Sequence, residues 1–158
     1  MKKTFYVLFL LALFSFQMVA AQSHEYKDPQ NRFSVKFPAA PQIQTWYTEP
    51  GGHRVEAADY EVFSLRYTVY VQPVEKTYTS REAFNAKVSI PGTHVKQVTF
   101  AGVSARETVH NFSVNIHTRT IEFLDQDLRQ VYTIRIAAAP DALYSPEVEG
   151  FLSTFKLN

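Results

Sequence analysis

The sequence predicts an α+β domain in which an antiparallel β-sheet is flanked by helices. The first indication is the alternation of apolar and polar residues in several segments. Leu65, Tyr67, Val69 and Val71, for example, have the period of a strand with one buried face. The second is the shortness of the connections, which forces antiparallel neighbours because a parallel crossover needs about a dozen residues or more. Helical spacing is found in two short stretches.

The N-terminal half of the mature chain predicts a short lead and four strands. Residues 22–31, "QSHEYKDPQN", are polar and are predicted to form a flexible N-terminal lead. Alternation over Phe33–Phe37 predicts a half-buried strand, which ends before a proline that cannot donate to a ladder. Residues 42–48 are predicted as a second strand, and residues 55–62 as the hairpin partner of the strand over 65–71.

Two helices are predicted from their caps and spacing. Residues 80–89 have Ser80 as a candidate N-cap and stop before a Pro-Gly pair. The second helix, Pro146–Phe155, has Ser145 as its candidate cap, a proline at its first position and an apolar stripe at helical spacing. Between the helices, alternation and turn residues predict four strands: His94–Phe100, Val103–Asn111, Val114–Leu124 and Leu128–Ala137.

The first 21 residues have the layout of a secretory signal peptide. Two lysines precede an apolar run over residues 5–16, and small residues before Gln22 suit cleavage after Ala21. The apolar run is shorter than the roughly 20 residues that a membrane-spanning helix needs, so an uncleaved anchor is the less favoured alternative. The sequence therefore predicts an exported protein, periplasmic or secreted, without stable membrane insertion after cleavage.

Charge and composition exclude several classes of function. The full chain has 16 basic and 15 acidic residues, and removal of Lys2 and Lys3 with the signal leaves 14 basic residues against 15 acidic. A near-neutral chain without a basic run is not expected to bind nucleic acid. The chain has no cysteine, which excludes disulfides, thiolate catalysis and iron–sulfur clusters. The five glycines form no phosphate-binding or dinucleotide-binding motif, so no cofactor is predicted.

Four segments carry a resemblance to a known family: "RFSVKFPAAPQ", "LRYTVYVQP", "VTFAGVSARETV" and the closing "FLSTFKLN". In this order they resemble small exported bacterial proteins related to the PsbP-like superfamily. The resemblance implies one α+β domain over residues 32–158, with helices on both faces of the sheet in an α/β/α sandwich. It implies an accessory, assembly or unassigned role, because this fold does not fix a function. It favours structural roles, as a turn glycine, charge pairs and a core tyrosine, for five positions: Gly102, Arg106, Glu107, Arg119 and Tyr132.

Two adjacent aromatic residues, Trp46 and Tyr47, form a candidate contact for a ligand or partner. They stand beside the turn "EPGGHR", and aromatic rings bind the apolar faces of sugars and peptides while staying soluble. Covering one edge of the core is the favoured alternative for the tryptophan.

Two histidines are predicted to lie on adjacent strands. A turn at Phe112–Ser113 would place His110 opposite Asn115 and His117 opposite Thr108. Ordinary strand histidines are favoured over a shared metal site, and no metal is predicted.

No catalytic site is predicted, because the sequence has no GxSxG elbow and no glycine-rich stretch for an oxyanion hole. A hydrolase would require dispersed polar residues, with His94 or His110 beside Glu107 and Arg119 on one face of the sheet. The sequence instead predicts a non-enzymatic binding or accessory domain of the bacterial cell envelope, with another envelope protein as its partner. The alternatives are a small periplasmic hydrolase and a carbohydrate-binding or small-ligand-binding module.

Overall fold

The computed structural model describes residues 23–44, 53–58, 65–74, 78–86, 93–125, 127 and 129–158. Two predictions lie outside these residues: the signal peptide with its cleavage between Ala21 and Gln22, and the aromatic pair Trp46 and Tyr47.

The described residues form ten strands and two helices. The strands are β1 (His24–Lys27), β2 (Phe33–Phe37), β3 (Gln42–Gln44), β4 (His53–Ala58), β5 (Arg66–Pro73), β6 (His94–Phe100), β7 (Val103–Asn111), β8 (His117–Leu124), β9 (Gln130–Ala138) and β10 (Lys156–Leu157). The helices are α1 (Arg81–Ala86) and α2 (Pro146–Ser153).

The strands are arranged in two antiparallel sheets. The large sheet has seven strands in the order β3-β4-β5-β9-β8-β7-β6, and the small sheet has three in the order β1-β2-β10. Every described neighbouring pair is antiparallel, as the short connections predict. The strand predicted over residues 55–62 pairs with β5 as expected, although its described part is β4.

One face of the large sheet, here called the inner face, carries the hydrophobic core. It presents the alternate apolar residues of its central strands, including Tyr67, Val69, Phe123, Tyr132, Ile134 and Ile136, all of which are buried. The small sheet and α2 cover this face together. The ring of Phe33 stacks on Phe155 with centroids 5.3 Å apart, and the ring of Phe151 lies 4.4 Å from that of Tyr67. The two sheets and α2 therefore share one core.

In the described part of the chain, the opposite, outer face of the large sheet is covered by a helix at one end. Helix α1 buries Phe84 against Leu124 and Val131, at the end of the sheet where β8 leads into β9. The α/β/α sandwich implied by the resemblance is thus observed only in part. The inner face is covered by a second sheet and one helix, whereas the described residues leave much of the outer face uncovered.

The polar lead predicted for residues 22–31 contains a strand. β1 pairs along its whole length with β2, with Tyr26 opposite Val35. The turn that joins the two strands is held by Asp28, whose carboxylate accepts hydrogen bonds from Arg32 Nε and Nη2, both at 2.8 Å. The expectation of a flexible segment was wrong for these residues, because Tyr26 is a single buried apolar residue among polar ones and gives no alternating pattern.

The chain end forms a strand that the sequence pattern does not predict. The second helix ends at Ser153 rather than Phe155, and the two residues of β10 then pair with β2. Ser145 caps this helix as predicted and accepts a hydrogen bond from the Val148 N–H. A strand of two residues is too short to produce a period in the sequence.

The β6–β7 turn has two residues in the left-handed region. Ala101 has φ of 48° and Gly102 has φ of 80°, as a two-residue type I′ hairpin turn requires. This confirms Gly102 as a turn glycine. It also places an alanine where the Cβ atom is disfavoured.

Replacing Ala101 with glycine is expected to stabilise the protein by about 0.5–1 kcal/mol, because the strain of the left-handed alanine is removed. Urea unfolding measures the effect. The matched control is Ala83→Gly in the exposed part of α1, which is expected to destabilise by about 1 kcal/mol. A lower stability of both variants would show that the turn does not have this conformation in solution.

Among the residues that the structure describes, no helix has the length and apolar character needed to cross a membrane.

Candidate functional site

The open part of the outer face forms a groove of about 450 Å³, here called the arginine groove. It crosses the large sheet from β4 to β8 and ends against the turn between β7 and β8. Its lining consists of three arginines, three hydroxyl-bearing residues and three apolar residues: Arg54, Arg66, Arg135, Thr68, Tyr70, Thr118, Phe112, Ile116 and Ala137.

Strand register brings these residues together. Arg54 of β4 lies opposite Tyr70 of β5, and Arg135 of β9 lies opposite Thr68 of β5. In the next row, Ala137 has Arg66 on one side and Thr118 on the other. Because side chains alternate between the faces of a strand, these positions all lie on the outer face.

The ring of Tyr70 organises two of the three arginines. The guanidinium carbon of Arg54 lies over this ring at 5.1 Å from its centroid, and that of Arg135 at 5.4 Å. Both cations are attracted to this ring, which helps to hold their side chains in the groove. A guanidinium fork presents paired N–H donors that match the oxygens of a carboxylate or phosphate, so the arginines of the groove suit an oxyanion.

The edge of the groove beside the β7–β8 turn is apolar and exposed. Phe112 is 76% exposed, and Ile116 at the other end of the turn also lines the groove. The turn is fixed by its own hydrogen bonds, because the backbone N–H groups of Phe112 and Ser113 both donate to the Ile116 carbonyl, at 3.1 and 3.0 Å. The groove thus combines a cationic floor with an apolar rim.

A second polar cluster lies on the inner face, around the predicted residues Glu107 and Arg119. Both are buried, and Arg119 Nη2 donates to Glu107 Oε2 at 2.9 Å. Arg119 Nη1 donates to a Glu149 carboxylate oxygen and to the Leu143 carbonyl. The guanidinium carbon of Arg119 also lies 4.5 Å from the ring centroid of Tyr144.

Burial and the nearby carboxylates act in opposite directions on the pKa of Arg119 and in the same direction on the pKa of Tyr144. Burial alone would lower the pKa of the Arg119 guanidinium, but its hydrogen bonds to Glu149 and Glu107 outweigh burial and raise that pKa. Burial, with the nearby charge of Glu107, raises the pKa of the Tyr144 hydroxyl. Arg119 therefore stays protonated and joins α2 and the preceding loop to the large sheet. This arrangement agrees with the structural roles expected for both residues.

The other positions expected to have structural roles also do so. Arg106 forms an ion pair with Glu122 at 2.8 Å, and Tyr132 is 4% exposed within the core. The hydrolase hypothesis required His94 or His110 beside Glu107 and Arg119. His110 comes three positions after Glu107 on β7 and so lies on the outer face, whereas Glu107 lies on the inner face. The side chain of His94 is outside the described residues.

The predicted register of the two strand histidines was wrong. His110 lies opposite Thr118, and His117 lies opposite Asn111, because the turn uses five residues, from Phe112 to Ile116. The observed register differs from the predicted one by three residues. Because an odd shift moves the side chains of a strand to the opposite face, the two imidazoles lie on opposite faces of the sheet. They cannot share a metal ion. The described residues contain no group of three or more potential metal-ligating side chains.

The arginine groove is not apparent from the sequence. Arg54, Arg66 and Arg135 come from three strands and stand far apart in the sequence, so no local motif connects them. In the sequence, each of these strands has an arginine at an outward-facing position among Thr, Tyr and Val residues. An arginine at such a position is also typical of an ordinary solvent-exposed site, and only the pairing register of the strands brings the three arginines together.

Comparison with solved structures identifies the fold. The solution structure of cyanobacterial PsbP (CyanoP) from Synechocystis matches with a TM-score of 0.57 at 13% sequence identity, covering 90% of this chain and 96% of that chain. The chain has a PsbP-like fold. This confirms the resemblance drawn from the sequence segments. No protein-family model and no curated protein matches the sequence. At this identity the PsbP-like fold establishes architecture alone, and any role for the arginine groove must be argued from its residues.

Proposed function

We propose that this protein is an exported, non-enzymatic accessory domain of the bacterial cell envelope, which holds another envelope component in the arginine groove. The observation that carries this proposal is the groove on the outer face of the large sheet. Three arginines converge there in a concave site instead of being distributed over the surface. The signal-like layout of the first 21 residues supports export. The PsbP-like fold of the structural neighbour supports an accessory or binding role.

A non-enzymatic role is supported by how the polar groups are distributed. The buried ion pair of Glu107 and Arg119 is used to join structural elements, and His110 lies on the other face of the sheet. The groove presents arginines and hydroxyl groups, which bind and orient a ligand but do not form a nucleophile–base pair.

Affinity capture from an envelope fraction, with quantitative mass spectrometry, tests the proposal. The bait is the protein purified from expression of the full chain, compared with the double variant Arg66→Gln/Arg135→Gln. The control is Arg129→Gln/Lys96→Gln, which removes the same charge at two exposed positions outside the groove.

At least one envelope component is expected to be recovered by the wild type and the control, and reduced about tenfold or more with the groove variant. Identical recovery by all three proteins would contradict the proposal. All three should unfold at similar temperatures, because the four substituted side chains are exposed.

A further inference from the structure

We propose that the arginine groove recognises a phosphate or carboxylate group attached to an apolar, ring-sized portion of a small molecule. This inference rests on the proposed function and names the chemical class of what the groove holds.

The charge balance of the outer face favours an anion. Arg54, Arg66 and Arg135 line the groove. Glu122, the acidic residue of β8 on this face, is bonded to Arg106 at 2.9 Å. Among the described residues that line the groove, the charged ones are the three arginines and none is acidic, and a concave site with one sign of charge concentrates ligands of the other sign.

The donor chemistry of the groove matches an oxyanion. A guanidinium has five N–H donors in a planar fork, so an arginine with an existing neighbour still has donors for two oxygens of a phosphate or carboxylate. The shared ring of Tyr70 holds Arg54 and Arg135 in place before a ligand arrives, which lowers the entropy cost of binding. The hydroxyl groups of Thr118 and Tyr70 supply further donors along the same lining.

The size and the apolar rim of the groove indicate a ligand larger than a bare anion. A space of about 450 Å³ is within the range of small-molecule sites and is much larger than one phosphate group. Phe112, Ile116 and Ala137 line the side of the groove beside the β7–β8 turn. Phe112 is 76% exposed, and a ligand ring packed against it would remove that apolar surface from water. The apolar part of the ligand therefore lies on the rim, while its oxyanion lies among the arginines.

Calorimetric titration with four probes tests the inference: phenyl phosphate, benzoate, inorganic phosphate and benzyl alcohol, in a low-salt buffer without phosphate. Phenyl phosphate or benzoate is expected to bind about tenfold or more tightly than benzyl alcohol, because only they place an oxyanion among the arginines. The difference between the two anions identifies which oxyanion is preferred. Arg66→Gln/Arg135→Gln should weaken the preferred probe about tenfold, while Arg129→Gln/Lys96→Gln should leave its affinity within about twofold.

The apolar rim has its own test. Phe112→Ala should weaken phenyl phosphate or benzoate several-fold without changing the affinity for inorganic phosphate, since only the aromatic probes reach the rim.

Three results would overturn the inference: no binding of phenyl phosphate or benzoate at millimolar concentration, equal binding of benzyl alcohol, or equal loss of affinity in the control pair. If these anions fail to bind but envelope capture still depends on Arg66 and Arg135, the ligand class is wrong and the proposed function stands. If capture is also independent of these arginines, both fail.

Discussion

Replacing Arg119 with methionine is expected to destabilise the protein by about 3–5 kcal/mol, because the change leaves a buried carboxylate without its cation. Glu107 is 8% exposed and receives a hydrogen bond from Arg119 Nη2 at 2.9 Å. Methionine has a similar length and packs well, so the loss reflects the uncompensated charge and not a cavity. Urea unfolding of the variant and the wild type measures the difference.

Two further variants separate the buried pair from its exposed partner. Glu149→Gln removes a carboxylate whose side chain is 50% exposed, and it is expected to cost about 1 kcal/mol or less. The double variant Arg119→Met/Glu107→Leu removes both buried charges and is expected to recover most of the stability lost by Arg119→Met. If Arg119→Met costs no more than Glu149→Gln, the buried pair is not formed in solution.

Asp28→Ala is expected to destabilise the protein by about 3 kcal/mol, since it removes the acceptor that holds the β1–β2 turn. The Asp28 side chain is fully buried and accepts two hydrogen bonds from the Arg32 side chain. It also accepts hydrogen bonds from the backbone N–H groups of Gln30 and Arg32, at 3.1 and 3.2 Å. The alanine variant leaves the guanidinium and both N–H groups without this partner.

The neighbouring surface pair provides the control for Asp28. Lys27 and Glu25 approach to 3.9 Å, with both side chains more than half exposed. Glu25→Gln is therefore expected to change the free energy of unfolding by less than about 0.5 kcal/mol. Amide hydrogen exchange adds a local measurement, because Asp28→Ala should increase exchange in β1 before it does so in the large sheet. Equal unfolding midpoints for Asp28→Ala and the wild type would contradict this role of the carboxylate.

Parts of the fold were predictable where one local pattern coincides with burial. Phe33, Val35 and Phe37 alternate in the sequence, and all three are buried in β2. The C-terminal helix was predictable because Ser145 supplies its cap and the residues at helical spacing meet the core. In both cases one face of the element is buried, and burial of one face gives a periodic apolar pattern that can be read directly from the sequence.

The rest depends on contacts between distant segments. β1 is a strand because a hairpin fixed by Asp28 brings it to β2, although its own residues are polar apart from Tyr26. The β7–β8 register depends on a five-residue turn whose hydrogen bonds are not visible in the sequence. The predicted register differs from the observed one by three residues, and because this shift is odd, the prediction placed His117 on the wrong face. The arginine groove is the most extreme case, since three strands supply one arginine each.

Binding of an envelope component is expected in the arginine groove on the outer face. The most direct test places a photoreactive phenylalanine derivative at position 118 in the groove or at position 153 on the exposed side of α2, followed by illumination with an envelope fraction. Thr118 lines the groove, whereas Ser153 belongs to the helix that covers the inner face. A covalent adduct, detected by mass spectrometry, is expected from position 118 and not from position 153. An adduct from position 153 alone, or equal adducts from both positions, would contradict the account.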